Sequence, residues 1–126
     1  MTSNRILVVD DEPFILRALV FILKKEGYEV QSAMDGEQAL EKVAAERPEI
    51  VFLDVMMPKK DGYEVCRSIK ADPSLAGTHV ILLTAKGQAK DREKAAEVGA
   101  DEYITKPFSP SLVMEKVRSI LAARIG

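Results

Sequence analysis

Three short apolar runs constrain the fold more than any other feature of the chain. They are Ile6-Leu7-Val8-Val9, Ile50-Val51-Phe52-Leu53 and Val80-Ile81-Leu82-Leu83. Each is rich in β-branched residues and has no polar interruption. A strand with one wet face alternates apolar and polar side chains. A continuous run of this length reads instead as a strand covered on both faces, the pattern of a parallel sheet. Tyr28 to Ala33 and Asp101 to Thr105 mix apolar and polar residues and read as flanking strands with less complete cover.

Helical patterns lie between these runs. Ile15, Leu19, Ile22 and Leu23 share a face in the first. Ala39, Leu40, Val43 and Ala44 do so in the second, with Asp35 as N-cap and Pro48 beyond its end. Asp61 caps a third carrying Val65, Cys66 and Ile69. The fourth runs from about Gln88 to Val98 and closes at Gly99. It has no Leu, Ile or Phe, so it should be held less firmly than the first or fifth. The fifth starts near Ser109-Pro110 and carries Val113, Val117, Ile120 and Leu121. The order is five βα units. Right-handed crossovers make this an α/β protein, a doubly wound five-stranded parallel sheet with the three apolar strands central.

With 126 residues, 47% of them apolar and 30% charged, the chain suits one globular domain spanning 1–126. A formal net charge of −2 gives no reason to expect nucleic-acid or membrane binding. The single cysteine, Cys66, forms no internal disulfide and fits a small core position in a reducing compartment. The apolar stretch before Asp10 is too short for a signal peptide, so the reading is cytoplasmic.

Polar residues stand at the carboxyl ends of the strands. The first apolar run leads into Asp10-Asp11, the second into Asp54, the third into Thr84, and the last strand into Lys106-Pro107. In an open α/β sheet this edge is where ligands bind. Three carboxylates meeting there would repel one another and raise their pKa values. A divalent cation resolves the conflict, and hard oxygen donors suit Mg²⁺. The same set suits phosphoryl transfer. An aspartate acts as nucleophile, a cation and a lysine neutralise the transferring group, and a threonine hydroxyl donates to the product.

Val8-Val9-Asp10-Asp11-Glu12, Leu53-Asp54-Val55-Met56-Met57-Pro58 with Asp61-Gly62, Leu83-Thr84-Ala85 and Gly99 to Phe108 resemble the response-regulator receiver family. The likeness covers nearly the whole chain. The 30 residues from Asp54 to Thr84 and the 52 from Asp54 to Lys106 match that family's spacing. It implies a flavodoxin-like, chemotaxis-regulator-like (βα)5 sheet with strand order 2-1-3-4-5. It implies that Asp54 takes a phosphoryl group from a histidine kinase or phosphotransfer protein. Asp11 and Asp54 would bind Mg²⁺ (or Mn²⁺) directly, Asp10 through water, and Met56 through its backbone carbonyl. Lys106 would pair with the phosphate and Thr84 would hydrogen-bond to it. Tyr103 would be an aromatic switch, and the Lys106–Pro107 peptide would be cis. The surface of helix four, strand five and helix five would contact a downstream target or output domain, or a second copy. Such a protein modifies itself and is not a turnover enzyme. Met56 and Lys86 flank the phosphate in this family, and neither acts as a base at neutral pH, so decay should be slow.

Blander readings stand beside these. Asp11 reads also as the cap of a helix begun by Glu12-Pro13. Tyr103 reads as readily as an edge-strand aromatic. His79 reads as structural or exposed. Arg92, Asp101, Glu102 and Lys116 partly fit the charge pattern by which receivers of winged-helix regulators pair. An aspartyl-phosphate-forming phosphatase of the haloacid-dehalogenase type would want an acid where Met56 stands. A flavin protein would want a Ser/Thr/Gly loop where Asp10-Asp11-Glu12-Pro13 stands. A degenerate scaffold receiver would have lost Asp54, Thr84 or Lys106. The chain reads as a stand-alone regulator or as one part of a longer one.

Overall fold

The computed structural model describes residues 4–85 and 89–125. Gln88, the expected start of the fourth helix, and Lys86 lie outside them. Ten elements alternate: β1 (Arg5–Val9), α1 (Pro13–Lys25), β2 (Glu29–Ala33), α2 (Gly36–Glu46), β3 (Ile50–Asp54), α3 (Gly62–Ala71), β4 (His79–Thr84), α4 (Ala89–Glu97), β5 (Glu102–Thr105) and α5 (Pro110–Ile125). The strands form one parallel sheet in the order β2-β1-β3-β4-β5. The three apolar runs are its central strands, as their double-sided burial requires.

Alternate residues of these strands feed two cores. Ile6, Val8, Ile50, Phe52, Ile81 and Leu83 pack under α1 and α5 with Leu19, Leu23, Val113 and Val117. Leu7, Val9, Val51, Leu53, Val80 and Leu82 pack under α2, α3 and α4 with Val43, Val65 and Ile69. Each fully buried side chain of this size contributes about 1.5–3 kcal/mol. By contrast, α4 offers that core Ala95, with Val98 just beyond its end. Among the described residues α4 thus gives the core one small side chain, in line with its lack of Leu, Ile or Phe.

Most caps follow the sequence. Asp35 accepts from the Gln38 amide at 2.9 Å, Asp61 forms a reciprocal capping box with Glu64, and Ser109 Oγ accepts from the Leu112 amide at 3.2 Å. Cys66 is buried, and burial pushes its thiol up to about 11, fitting a core role. The start of α1 departs from expectation. Its N-cap is Glu12, not Asp11, and no side chain caps it. Asp10 Oδ1 instead accepts from the Glu12 amide at 2.9 Å, which turns the chain from the strand into the helix. The face of α1 is also rotated: Leu16, Leu19 and Leu23 are buried, while Ile15 and Ile22 sit at its margins. The flanking strands begin one residue later than their patterns suggest, at Glu29 and Glu102. Among the described residues no helix is long and apolar enough to cross a membrane.

Candidate functional site

The carboxyl edge of the central strands gathers the polar residues. Asp10, just past β1, is fully buried, and Asp54, the last residue of β3, is 5% exposed. Asp11 is half-buried. One carboxylate oxygen from each of the three lies within 4.8 Å of the others. Lys106 enters from the end of β5. Its amide donates to the Thr84 carbonyl at 2.6 Å, and the Lys106–Pro107 peptide is cis. The ammonium stands 2.9 Å from Asp10 Oδ2 and donates to Asp54 Oδ1 at 3.2 Å. The contact with Asp10 is an ion pair at close range but not a hydrogen bond, so that oxygen has no directed donor among the described residues. Glu12 lies 3.6 Å from the same ammonium. Sequence reading gave Glu12 no role at the site; its only signal was its place directly after Asp10-Asp11.

One lysine among these acids does not balance them. Burial and the neighbouring Asp10 carboxylate push Asp54 up to about 6, against the opposing pull of Lys106. Burial pulls the Lys106 ammonium down, but the Asp10 carboxylate at close range and the charge on Asp54 outweigh it and hold its pKa above the ordinary value. Lys106 is therefore charged throughout the physiological range.

The sign of the resulting stability effect follows from Asp54. Its folded value lies above the ordinary 3.8, so ionisation disfavours the folded state. That cost is absent below 3.8, grows between 3.8 and about 6, and is complete above that. Without divalent cations, Asp54→Asn should therefore stabilise the protein at pH 7.5 by about 1–3 kcal/mol. It should gain little at pH 4. Thermal unfolding in a chelator at both pH values checks this; an unchanged or lower midpoint at pH 7.5 overturns it.

Thr84 is 3% exposed, and its hydroxyl is buried without a hydrogen-bond partner among the described residues. An unpaired buried hydroxyl is costly and needs a reason. Met56 is 74% exposed, so its side chain is turned to solvent and only its backbone is available to the site. Tyr103 is half-buried, in register with Leu82, and packs against the α2–α3–α4 core.

The remaining candidates lie elsewhere. His79 Nε2 is 2.7 Å from Glu102 Oε2, and the Lys116 ammonium is 2.5 Å from Glu102 Oε1. Burial raises the Glu102 carboxyl, but these two partners outweigh it and hold its pKa below the ordinary value. Asp101 pairs with Lys70 at 2.7 Å and accepts from the Val80 amide at 2.8 Å. Asp101, Glu102 and Lys116, read from sequence as charges for pairing with another copy, thus have partners within the chain.

Residues 6–118 match the family described as response regulator receiver domain. The chain is 44% identical over 119 residues to the alkaline phosphatase synthesis transcriptional regulatory protein PhoP of Bacillus subtilis, covering 94% of this chain and 49% of that protein. The solved response regulator DrrB, an OmpR/PhoB homologue of Thermotoga maritima, superposes with a TM-score of 0.87 at 36% identity, covering 98% of this chain and 54% of that one. The BeF3-activated DrrB receiver domain superposes with a TM-score of 0.86 at 38% identity, covering 96% of this chain and 99% of that one. The chain spans about half the length of the curated relatives it matches. Sheet order, helix placement and these likenesses agree: the chain belongs to the response-regulator receiver-domain family.

Proposed function

We propose that this chain is the phosphoacceptor switch of a two-component pathway, taking a phosphoryl group on Asp54 from a histidine kinase or phosphotransfer protein. The observation that carries this reading is the Asp54–Lys106 pair beside a buried Thr84 hydroxyl that has no hydrogen-bond partner among the described residues. A phosphoryl group on Asp54 brings oxygens that can accept from both Lys106 and Thr84.

The donor set fits a hard divalent cation. Asp10, Asp11 and Asp54 supply closely spaced carboxylate oxygens, and among the described residues Asp10 Oδ2 has no directed donor. Asp11 and Asp54 would hold the ion directly, Asp10 through water, with the Met56 carbonyl as a further ligand. A bound Mg²⁺, or Mn²⁺ in its place, supplies positive charge for the oxygens of the transferring group.

The residues of the chain do the rest. Asp54 attacks phosphorus with a carboxylate oxygen, the P–N bond to the donor imidazole breaks, and the imidazole leaves as the neutral ring after taking up a proton. Lys106 balances the charge on the equatorial oxygens, and Thr84 donates its hydroxyl to the acyl phosphate. One protein molecule takes one phosphoryl group, so the chain modifies itself rather than turning over substrate. Moving Thr84 toward the phosphate frees space beside Tyr103. The thinly anchored α4 then shifts, altering the α4–β5–α5 face that contacts a target, an output domain or a second copy.

The test is incubation with phosphoramidate and Mg²⁺. One hydroxylamine-labile phosphoryl group per chain is expected, mapping to Asp54. A label at another residue, or none, overturns the proposal. The cation reading has its own check. Two direct carboxylates and a carbonyl fill only part of an octahedral shell, so each carries much of the affinity. Asp11→Ala should weaken Mg²⁺ binding, followed by amide chemical shifts, by at least about tenfold. Equal affinity would remove Asp11 from the site.

A further inference from the structure

We propose that the N-terminus of α2 holds the loop after Asp54 at the height the cation site needs, with Gly36 as the positioning residue. This rests on reading Asp10, Asp11 and Asp54 as a divalent-cation site. The loop, residues 55–61, carries Met56. It is fixed on the inside: the Val55 amide donates to the Leu83 carbonyl at 3.1 Å, the Gly62 amide donates to the Val55 carbonyl at 2.9 Å, and Met57 packs on the core. Its outer part is a tight turn in which Lys59 takes φ +70° and the Lys60 amide donates to the Pro58 carbonyl at 2.9 Å.

The first residue of α2 abuts this turn. A Cβ on Gly36 would lie 2.2 Å from the Lys60 carbonyl oxygen and 2.5 Å from the Lys60 Cβ. The flanking acids point the same way. Asp35 caps α2 through Oδ1 and places Oδ2 3.8 Å from the Lys59 ammonium, while Glu37 Oε2 is 3.7 Å from it. Those exposed pairs contribute little by themselves. The steric contact sets the distance, and the N-cap and first two residues of α2 face Lys59 and Lys60.

A side chain at position 36 would push the Lys60 carbonyl away by about 1 Å to reach ordinary C···O contact. Both ends of the loop are fixed, so that displacement passes back toward Met56. Mg²⁺ demands near-ideal ligand geometry and tolerates such a shift badly. Groups that hold ligands in place typically govern affinity by 10–100-fold.

The experiment is a Mg²⁺ titration of the 126-residue chain followed by amide chemical shifts. Gly36→Ala should bind about tenfold more weakly, with its shift changes concentrated in residues 55–61. Its phosphorylation by phosphoramidate should slow at limiting Mg²⁺ and recover at saturating Mg²⁺, a split that a general loss of stability does not produce. Gly77→Ala, where a Cβ meets nothing within 4 Å, should match wild type. Lys60→Gly provides a second arm should Gly36→Ala not fold. It removes the Lys60 Cβ, one of the atoms held against Gly36, and leaves the carbonyl in place, so the turn is held less firmly and binding weakens, whereas loss of a positive charge by itself does not weaken cation binding. Weaker binding by Lys60→Gly supports the brace, and tighter or equal binding counts against it. A folded Gly36→Ala with wild-type affinity overturns the proposal. A wild-type chain whose Mg²⁺-induced shifts avoid Asp10, Asp11 and Asp54 would sink the cation site itself, and the brace with it.

Discussion

Asp54→Asn is expected to lower phosphorylation by phosphoramidate and Mg²⁺ by at least about 10³-fold, the scale of loss when a nucleophile is removed. Asparagine keeps the shape of the side chain but carries no charge, and its amide oxygen is a poor nucleophile toward phosphorus. The fold should survive, because the substitution relieves the repulsion with Asp10 that helps push Asp54 up to about 6. Loss of labelling with a raised unfolding midpoint would separate chemistry from stability in one variant. Labelling of Asp54→Asn at the wild-type rate would place the phosphoacceptor elsewhere.

How much of this was legible in the sequence depends on range. The central strands could be read because a continuous apolar run has one good explanation, burial on both faces. Asp54 and Lys106 could be read because the first ends a strand and the second directly follows one, and parallel strands bring their carboxyl ends to one edge. Helix caps such as Asp35 and Asp61 act within three residues, so local pattern carried them. The cap of α1 failed for the same reason: Asp10-Asp11-Glu12 offers three acids in a row, and only the fold decides that Asp10 is buried and turns back on the Glu12 amide. The pairing of His79 with Glu102 spans 23 residues and arises from adjacent strand starts, which no local pattern marks.

The lack of a partner for the Thr84 hydroxyl among the described residues was equally invisible in sequence. A threonine after a strand is ordinary; one buried with an unsatisfied hydroxyl is not. The site is thus legible as a set of residue types and becomes specific through what surrounds them. The two close-approach glycines, Gly36 and Gly62, belong to the second category. Each sits at the first position of a helix, where glycine carries no signal of its own, and each is required because another backbone lies against it.

Gly62→Ala is expected to destabilise the protein by about 3 kcal/mol, lowering its unfolding midpoint by roughly 10 °C. A Cβ there would lie 2.3 Å from the Asp54 carbonyl oxygen, 2.8 Å from the Val55 Cα and 2.9 Å from the Asp54 carbonyl carbon. All three are backbone atoms at the end of a central strand, so no side-chain rotation relieves the clash. Either α3 retreats, losing packing of Val65, Cys66 and Ile69 in the core, or β3 shifts and strains the ladder to β1 and β4. In an unobstructed helix, alanine would instead gain about 1 kcal/mol over glycine. The sign of the measured change therefore decides between the two. A midpoint equal to or above wild type would mean that α3 does not seat against Asp54. A lowered midpoint with phosphorylation also slowed would show that the close seating of α3 positions the phosphoacceptor as well as the fold.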